Sequence, residues 1–123
     1  MGRKQEVTPP KRGDVFIVVF DPTLGAEIRK SRPAVVIQND IDNRYSPVTI
    51  VAAITSRLDN TQYPTDVHVR PPEGGLSKPS MVLSNQLRSV DKRHLVQRLG
   101  RLRPETMRQV DRALQLSLGL VEV

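Results

Sequence analysis

Three short segments rich in β-branched and aromatic residues restrict this chain to a fold dominated by β-structure. They cover residues 15–20, 34–38 and 48–54. Valine, isoleucine and phenylalanine favour extended backbone. Turn-forming residues separate the segments, since Asp21-Pro22 follows the first and Asn39-Asp40 follows the second. We therefore predict three strands at these positions.

The second half of the chain predicts shorter strands and two helical elements. Residues 65–69 alternate as a half-exposed strand does, and residues 81–83 and 87–90 predict further strand. Asp91 can cap one helical turn that runs through Val96. Pro104 suits the first position of a C-terminal helix. The apolar residues of that helix recur at spacings of three and four: Met107, Val110, Leu114 and Leu118.

Many short strands followed by one terminal helix predict an α+β fold that is mainly β, built as a small, strongly bent antiparallel sheet or barrel. A chain of 123 residues has room for one domain. Residues 1–11 mix charges with prolines and lack an apolar period, so we predict a flexible tail there. The domain then spans residues 12–123.

The charge of the chain favours a polyanionic partner. Nineteen basic residues against thirteen acidic ones give a net charge of +6 at pH 7. The chain has no cysteine, which excludes disulfides, thiol nucleophiles and thiolate metal sites. Its two histidines, His68 and His94, are too isolated for a typical zinc site, so we expect no metal and no cofactor. No segment resembles a signal peptide or a membrane span, and we expect a soluble, cytoplasmic protein.

Two polar residues stand at the ends of predicted strands. Arg32 precedes the second strand, and Thr55 follows the third. A guanidinium and a hydroxyl can together bind a phosphate group without a metal, provided that the two strands lie side by side. Each residue taken alone is more typical of a solvated strand end.

A series of short motifs runs along most of the chain. They are, in order, Arg12-Gly13-Asp14-Val15, Asp21-Pro22-Thr23-Leu24-Gly25 with Glu27, Arg32-Pro33, Val36-Ile37-Gln38-Asn39-Asp40, Asn43-Arg44-Tyr45-Ser46-Pro47, Ala52-Ala53-Ile54-Thr55, Asn85-Gln86-Leu87-Arg88-Ser89-Val90-Asp91-Lys92 and Val110-Asp111-Arg112-Ala113-Leu114. These motifs resemble those of the MazF/PemK family, the endoribonuclease toxins of type II toxin–antitoxin systems. Each motif alone is weak, but together they occur in one order at spacings similar to those of the family. Asn85 departs from the acidic residue that often precedes the glutamine.

The resemblance implies an SH3-like barrel of the MazF/CcdB/PemK kind that works as a homodimer. It also implies a metal-independent, sequence-specific endoribonuclease that cleaves single-stranded mRNA and leaves a 2′,3′-cyclic phosphate and a 5′-hydroxyl. Arg32 and Thr55 correspond to the catalytic pair of the family, and Glu27 is a further catalytic candidate from the first loop. Glu27 is equally well explained as an ordinary loop charge.

Three more residues are candidates for binding RNA. Arg12, Asn39 and Gln86 follow or precede predicted strands and carry groups that bind phosphates or the edges of unstacked bases. Asn39 is equally suited to capping a turn.

The implied partner is a MazE-like antitoxin with an acidic and apolar C-terminal segment, which a chain of net charge +6 would attract. Two alternatives stay open at this stage. One is a CcdB-like poison of DNA gyrase that has no enzymatic activity. The other is an SH3-like module that binds RNA without cleaving it.

Overall fold

The computed structural model of the protein describes residues 8–20, 31–58 and 63–122. Within these ranges six strands form one antiparallel sheet in the order β4-β5-β3-β2-β1-β6. The strands are β1 (Asp14–Val19), β2 (Ser31–Val36), β3 (Val48–Thr55), β4 (Asp66–Val69), β5 (Ser80–Asp91) and β6 (Leu95–Arg101). Two helices accompany them, α1 (Asp40–Tyr45) and α2 (Pro104–Ser117).

Each face of this sheet carries a cluster of buried apolar side chains. On one face α2 packs its buried Val110, Ala113 and Leu114 against strand residues that include Val15 and Ile54. The opposite face carries a smaller cluster: Val18, Ala34, Val36, Val51 and Val90. We call these the helix face and the open face. The predicted fold class, α+β and mainly β with a C-terminal helix, is confirmed, with β4 and β6 at the two edges of the sheet.

Two elements differ from the sequence prediction. The region after Asn39 was expected to be a polar loop, but it contains helix α1, which Asn39 caps by accepting a 2.8 Å hydrogen bond from the N–H of Asp42. Asp91 caps a turn, as predicted, but the turn ends at His94 and strand β6 follows. The sequence of β6 gives a weak signal because it lies at the sheet edge, and most of its residues are at least partly exposed.

Strand β5 contains both residues 81–83 and residues 87–90, which the sequence predicts as two separate strand segments. Ala53 of β3 pairs with Leu83, whereas the neighbouring Ala52 pairs with Leu87, so residues 84–86 form a bulge on β5. A bulge bends its strand and redirects side chains. Residues 84–86, the polar residues between the two apolar segments, therefore form this bulge.

Helix α2 is held at its start by a turn from another part of the chain. Glu73 accepts hydrogen bonds from the backbone N–H of Arg103, at 2.9 Å, and from its guanidinium, at 3.1 Å. The same turn contains Gly75, whose φ of +73° and contact with the Leu99 carbonyl leave no room for a Cβ atom. This turn thus connects α2 with the edge strand β6.

The N-terminal boundary of the domain stays a prediction, since residues 1–7 of the expected tail lie outside the described residues. Pro10 is buried. The N–H of Lys11 donates a 2.9 Å hydrogen bond to Asp14. No helix in the described part of the chain is long and apolar enough to cross a lipid bilayer.

Candidate active site

Arg32 and Thr55 lie on adjacent antiparallel strands. In the pairing of β2 with β3, Ala34 faces Ala53 and Val36 faces Val51. Arg32 and Thr55 each lie two residues beyond the last pair of this ladder, Ala34 with Ala53. Residues two apart on a strand share a sheet face. The condition set by the sequence, that the two strands lie side by side, is therefore met, and both side chains belong to the open face.

Three clefts converge on Arg32. The first lies at the end of the sheet and has a volume of about 430 Å³; we call it the end cleft. It is lined by Arg32, Pro33, Ile54, Thr55, Ser56, Arg57, Leu76, Ser77, Lys78 and Ser80. The other two clefts share Arg32, Ala53, Asn85 and Gln86, and we call them the face clefts. An exposed guanidinium thus stands where the three clefts meet.

The hydroxyl of Thr55 has one hydrogen-bond partner among the described residues. Its Oγ1 accepts a 3.0 Å hydrogen bond from the backbone N–H of Arg57. A hydroxyl has one hydrogen and two lone pairs, so its hydrogen stays available to a group in the cleft that Thr55 shares with Arg32.

The bulge on β5 supplies amide side chains to the same region. Asn85 and Gln86 are exposed and line both face clefts beside Arg32. Arg88 lines one of these clefts, where its guanidinium lies 5.3 Å from the centre of the Phe20 ring and donates to the Phe20 carbonyl. The predicted RNA contact Gln86 is thus adjacent to the predicted catalytic pair.

Sequence reasoning missed Asp66, a carboxylate in one of the face clefts. Asp66 begins β4 and pairs with Leu83 of β5, which in turn pairs with Ala53 of β3. Its Oδ2 accepts a 3.1 Å hydrogen bond from the N–H of Tyr63. The cleft it lines also contains Thr55 and Arg57. No local sequence signal marks this residue, because two strand pairings bring it to the site.

Two predicted RNA-binding residues lie at the other end of the β1–β2 ladder. The Arg12 guanidinium donates to the Ile37 carbonyl at 2.7 Å and pairs with Asp111 of α2 at 2.6 Å. Ile37 is five residues from Arg32, or about 16 Å along an extended strand. Asn39 lies at this end too, as the cap of α1. The structure therefore brings Gln86 to Arg32 but not Arg12 or Asn39.

The backbone of Arg12 also binds the carboxylate of Asp40. The backbone N–H of Arg12 donates to Asp40 at 2.7 Å. That hydrogen bond is the main reason that the pKa of Asp40 lies below its ordinary value. This end of the sheet is a hydrogen-bonded junction of β1, α1 and α2.

The third catalytic candidate, Glu27, lies outside the described residues. Among residues 8–20, 31–58 and 63–122, no group of three histidine, aspartate or glutamate side chains is arranged to hold a metal ion.

Comparison with known proteins identifies the family. A family model described as the PemK-like, MazF-like toxin of type II toxin–antitoxin systems matches residues 11–118. The chain belongs to this family. It is 43% identical over 112 residues to the endoribonuclease EndoA of Bacillus subtilis, a match that covers 91% of this chain and 97% of EndoA. The family predicted from the sequence motifs is thus confirmed.

Solved structures support the same assignment. An endoribonuclease in complex with its cognate antitoxin, from a mycobacterial species, aligns with a TM-score of 0.75 at 25% identity and covers 93% of this chain and 99% of its own. MazF from Deinococcus radiodurans aligns with a TM-score of 0.74 at 25% identity, covering 92% of this chain and 99% of its own. The sheet and helices described above are therefore those of this toxin family.

Proposed function

We propose that this protein is the toxin of a type II toxin–antitoxin system and acts as a metal-independent endoribonuclease on single-stranded RNA, mRNA in particular. The observation that carries the proposal is that Arg32 and Thr55, at the end of the β2–β3 ladder, line the same two clefts. The family match and the 43% identity to an endoribonuclease support it.

The reaction needs no group beyond the RNA and the protein. The 2′-oxygen attacks the adjacent phosphorus, the bond from phosphorus to the 5′-oxygen breaks, and the products end in a 2′,3′-cyclic phosphate and a 5′-hydroxyl. The 2′-hydroxyl proton goes to a base, and the departing 5′-oxygen receives a proton. Charge that develops on the non-bridging oxygens must be stabilised.

Arg32 and Thr55 serve the phosphate rather than the 2′-hydroxyl. A guanidinium stays protonated at neutral pH, so Arg32 stabilises the negative charge of the transition state and can protonate the leaving oxygen. Thr55 donates a hydrogen bond to a non-bridging oxygen, while the N–H of Arg57 occupies one of the two lone pairs of the hydroxyl. Neither group removes the 2′-proton.

Two carboxylates are candidates for that base. Glu27 lies in the sequence between β1 and β2, within the motifs that resemble those of the family. Asp66 lines a face cleft together with Arg32 and Thr55, and its Oδ1 makes no hydrogen bond with any described residue.

Base recognition is assigned to the bulge of β5. Gln86, with Asn85 beside it, presents amide groups that can bind base edges next to the scissile phosphate. Ile37, which Arg12 contacts, lies about 16 Å from Arg32 by the strand spacing, and Asn39 lies two residues further. Arg12 and Asn39 can therefore contact only nucleotides remote from the cleaved bond.

The test is incubation of the purified protein with a long RNA in the presence of EDTA. We expect defined fragments that end in a cyclic phosphate, and no fragments from the Arg32→Ala variant. Intact RNA with the parent protein would exclude the proposal and favour either a gyrase poison or a binding module without catalytic activity. A gyrase supercoiling assay then separates those two.

We further propose a cytoplasmic homodimer whose partner is a MazE-like antitoxin. One structural neighbour is described as an endoribonuclease in complex with its cognate antitoxin. An acidic and apolar antitoxin segment placed over Arg32 would compete with RNA for the same cations. Ile41 and Tyr45 of α1 are more than 70% exposed, and such apolar side chains are typical of residues that a partner covers. Size-exclusion chromatography with light scattering tests the dimer.

A further inference from the structure

The charged side chains that line the end cleft are all positive. Three cations line it, Arg32, Arg57 and Lys78, and no carboxylate occurs among its described lining residues. The remaining polar groups are hydroxyls, from Ser56, Ser77, Ser80 and Thr55. One of the face clefts, by contrast, contains Asp66 and two amides. The end cleft therefore suits a group with several negatively charged oxygens.

Arg57 and Lys78 are available for such a ligand. Both are exposed, and neither forms an ion pair with any residue that the structure describes. Elsewhere on the protein several arginines are paired, as in the contacts of Arg98 and Arg101 with Asp14. Cations that converge on one cleft without counter-ions repel each other, and a bound anion relieves that repulsion.

The backbone holds both residues in place. The N–H of Arg57 donates to Thr55 at 3.0 Å, so the first cation is tied to the candidate catalytic hydroxyl. Lys78 lies between Leu76 and Ser80, which are 6% and 4% exposed, and its carbonyl accepts a 2.9 Å hydrogen bond from the Ser80 hydroxyl. The stems of both side chains thus start from fixed positions at the rim of the cleft.

We propose that Arg57 and Lys78 form an accessory subsite for the phosphodiester next to the scissile one. This inference rests on the proposed function, in which Arg32 and Thr55 bind the scissile phosphate. Because the end cleft begins at those two residues, the next phosphate along the strand enters the cleft when the first is in place. The subsite recognises backbone charge and carries no base preference of its own.

The first test removes the charge of single phosphates. Once the cleavage site of the protein has been mapped, oligonucleotides carry a neutral methylphosphonate immediately 5′ or 3′ of the scissile linkage. We expect kcat/KM of the parent protein to fall about 10- to 100-fold for one of the two positions, the loss of a charge-assisted contact. The double variant Arg57→Ala/Lys78→Ala should show a similar fall on the natural oligonucleotide and no further fall on that methylphosphonate.

The second test measures binding without cleavage. Oligonucleotides with a 2′-deoxyribose at the cleavage site are titrated at several salt concentrations. Each lost phosphate contact should reduce the slope of log affinity against log salt by about 0.7 for single-stranded nucleic acid. The matched control is Arg108→Ala on α2, an exposed cation whose helix packs on the opposite sheet face, and its slope should equal that of the parent.

The outcomes separate this inference from the proposed function. If the parent leaves RNA intact, the proposed function fails and the subsite falls with it. If the parent cleaves RNA but the double variant keeps its kcat/KM and salt slope, only the subsite is overturned. A methylphosphonate penalty that persists unchanged in the double variant also overturns it. Circular dichroism melting of each variant verifies that the proteins compared are folded.

Discussion

The Oγ1 atom of Thr55 accepts a 3.0 Å hydrogen bond from the backbone N–H of Arg57, two residues further along the chain. This contact leaves the hydrogen of the hydroxyl available to a group in the cleft that Thr55 shares with Arg32. The position therefore needs a hydroxyl, and the methyl group of threonine matters less. That distinction leads to a conservative pair of substitutions.

Thr55→Ser should keep RNA cleavage within tenfold of the parent, whereas Thr55→Val should lower kcat about 10²–10³-fold. Valine has the shape of threonine but offers no hydrogen bond to the phosphate, and one preorganised donor is worth this much in rate. Single-turnover cleavage of a short RNA measures the effect. Equal rates for the two variants would contradict the donor role of Thr55.

Asp66 and Glu27 are the two candidate bases. Replacing each carboxylate by the corresponding amide distinguishes between them. If Asp66 accepts the 2′-proton, Asp66→Asn should lower kcat about 10²–10⁴-fold, while Glu27→Gln changes little. The opposite result would assign the base to Glu27. Full activity of both variants would exclude both carboxylates.

The sequence predicts Arg32 and Thr55 as a candidate catalytic pair because the signals for the pair are local. Arg32 and Thr55 each adjoin an apolar strand, and the motif resemblance gives them a role. Their alignment depends on only one strand pairing, between neighbours along the chain. Asp66 is different, since its place in the site depends on two successive pairings through the bulged strand β5. No residue near Asp66 in sequence carries that information.

Helix α1 was missed for a similar physical reason. It has six residues, too few for intrinsic propensity to stabilise a helix. Its buried residue, Asn43, bonds with Gln38 before the helix and Thr49 after it. A polar asparagine looks like a loop residue in the sequence, whereas in the structure it is the anchor of the helix.

Asn43→Ala should destabilise the protein by about 2–3 kcal/mol. The Oδ1 atom of Asn43 accepts from Thr49, at 2.7 Å, and from Gln38, at 3.0 Å, in a fully buried position. Its loss leaves the Thr49 hydroxyl without a partner in the core, which costs more than the bond itself contributes. Urea unfolding measures the change. Thr49→Val, which removes one donor and leaves the acceptor satisfied by Gln38, should cost less.

Acidification should destabilise the protein partly through Glu73. Burial raises the pKa of this carboxyl, but hydrogen bonds from Thr106 and Arg103 outweigh burial and bring the pKa below its ordinary value of 4.5. A carboxyl with a lowered pKa in the folded state stabilises that state above its unfolded pKa, and the contribution disappears as the pH falls through the folded value. The free energy of unfolding measured with urea should therefore be lower at pH 3 than at pH 7.

The variant Glu73→Gln should be less stable than the parent at pH 7 and should lose less on acidification. Glu122→Gln, at an exposed position after α2, serves as the matched control and should behave like the parent. Identical pH dependence of Glu73→Gln and the parent would exclude a contribution from Glu73.

Arg12→Ala tests a predicted RNA contact against a structural role. The guanidinium joins the Ile37 carbonyl to Asp111 of α2, and Arg12 and Asp111 are 31% and 49% exposed. Solvent screening at that exposure limits the ion pair, so we expect a loss of about 1 kcal/mol in the free energy of unfolding, mainly from the hydrogen bond to the carbonyl. Urea unfolding measures this change.

RNA binding gives the second readout for Arg12, because a structural role does not depend on RNA length. Ile37, which Arg12 contacts, lies about 16 Å from Arg32 by the strand spacing, so any contact of Arg12 with RNA requires several nucleotides beyond the cleaved bond. A rise in KM for long RNA, with an unchanged KM for a short one, would support the predicted RNA contact. The control Asp111→Asn removes the charge of the partner without removing the arginine. If both variants lose stability and neither changes KM on either RNA, the prediction that Arg12 binds RNA is wrong.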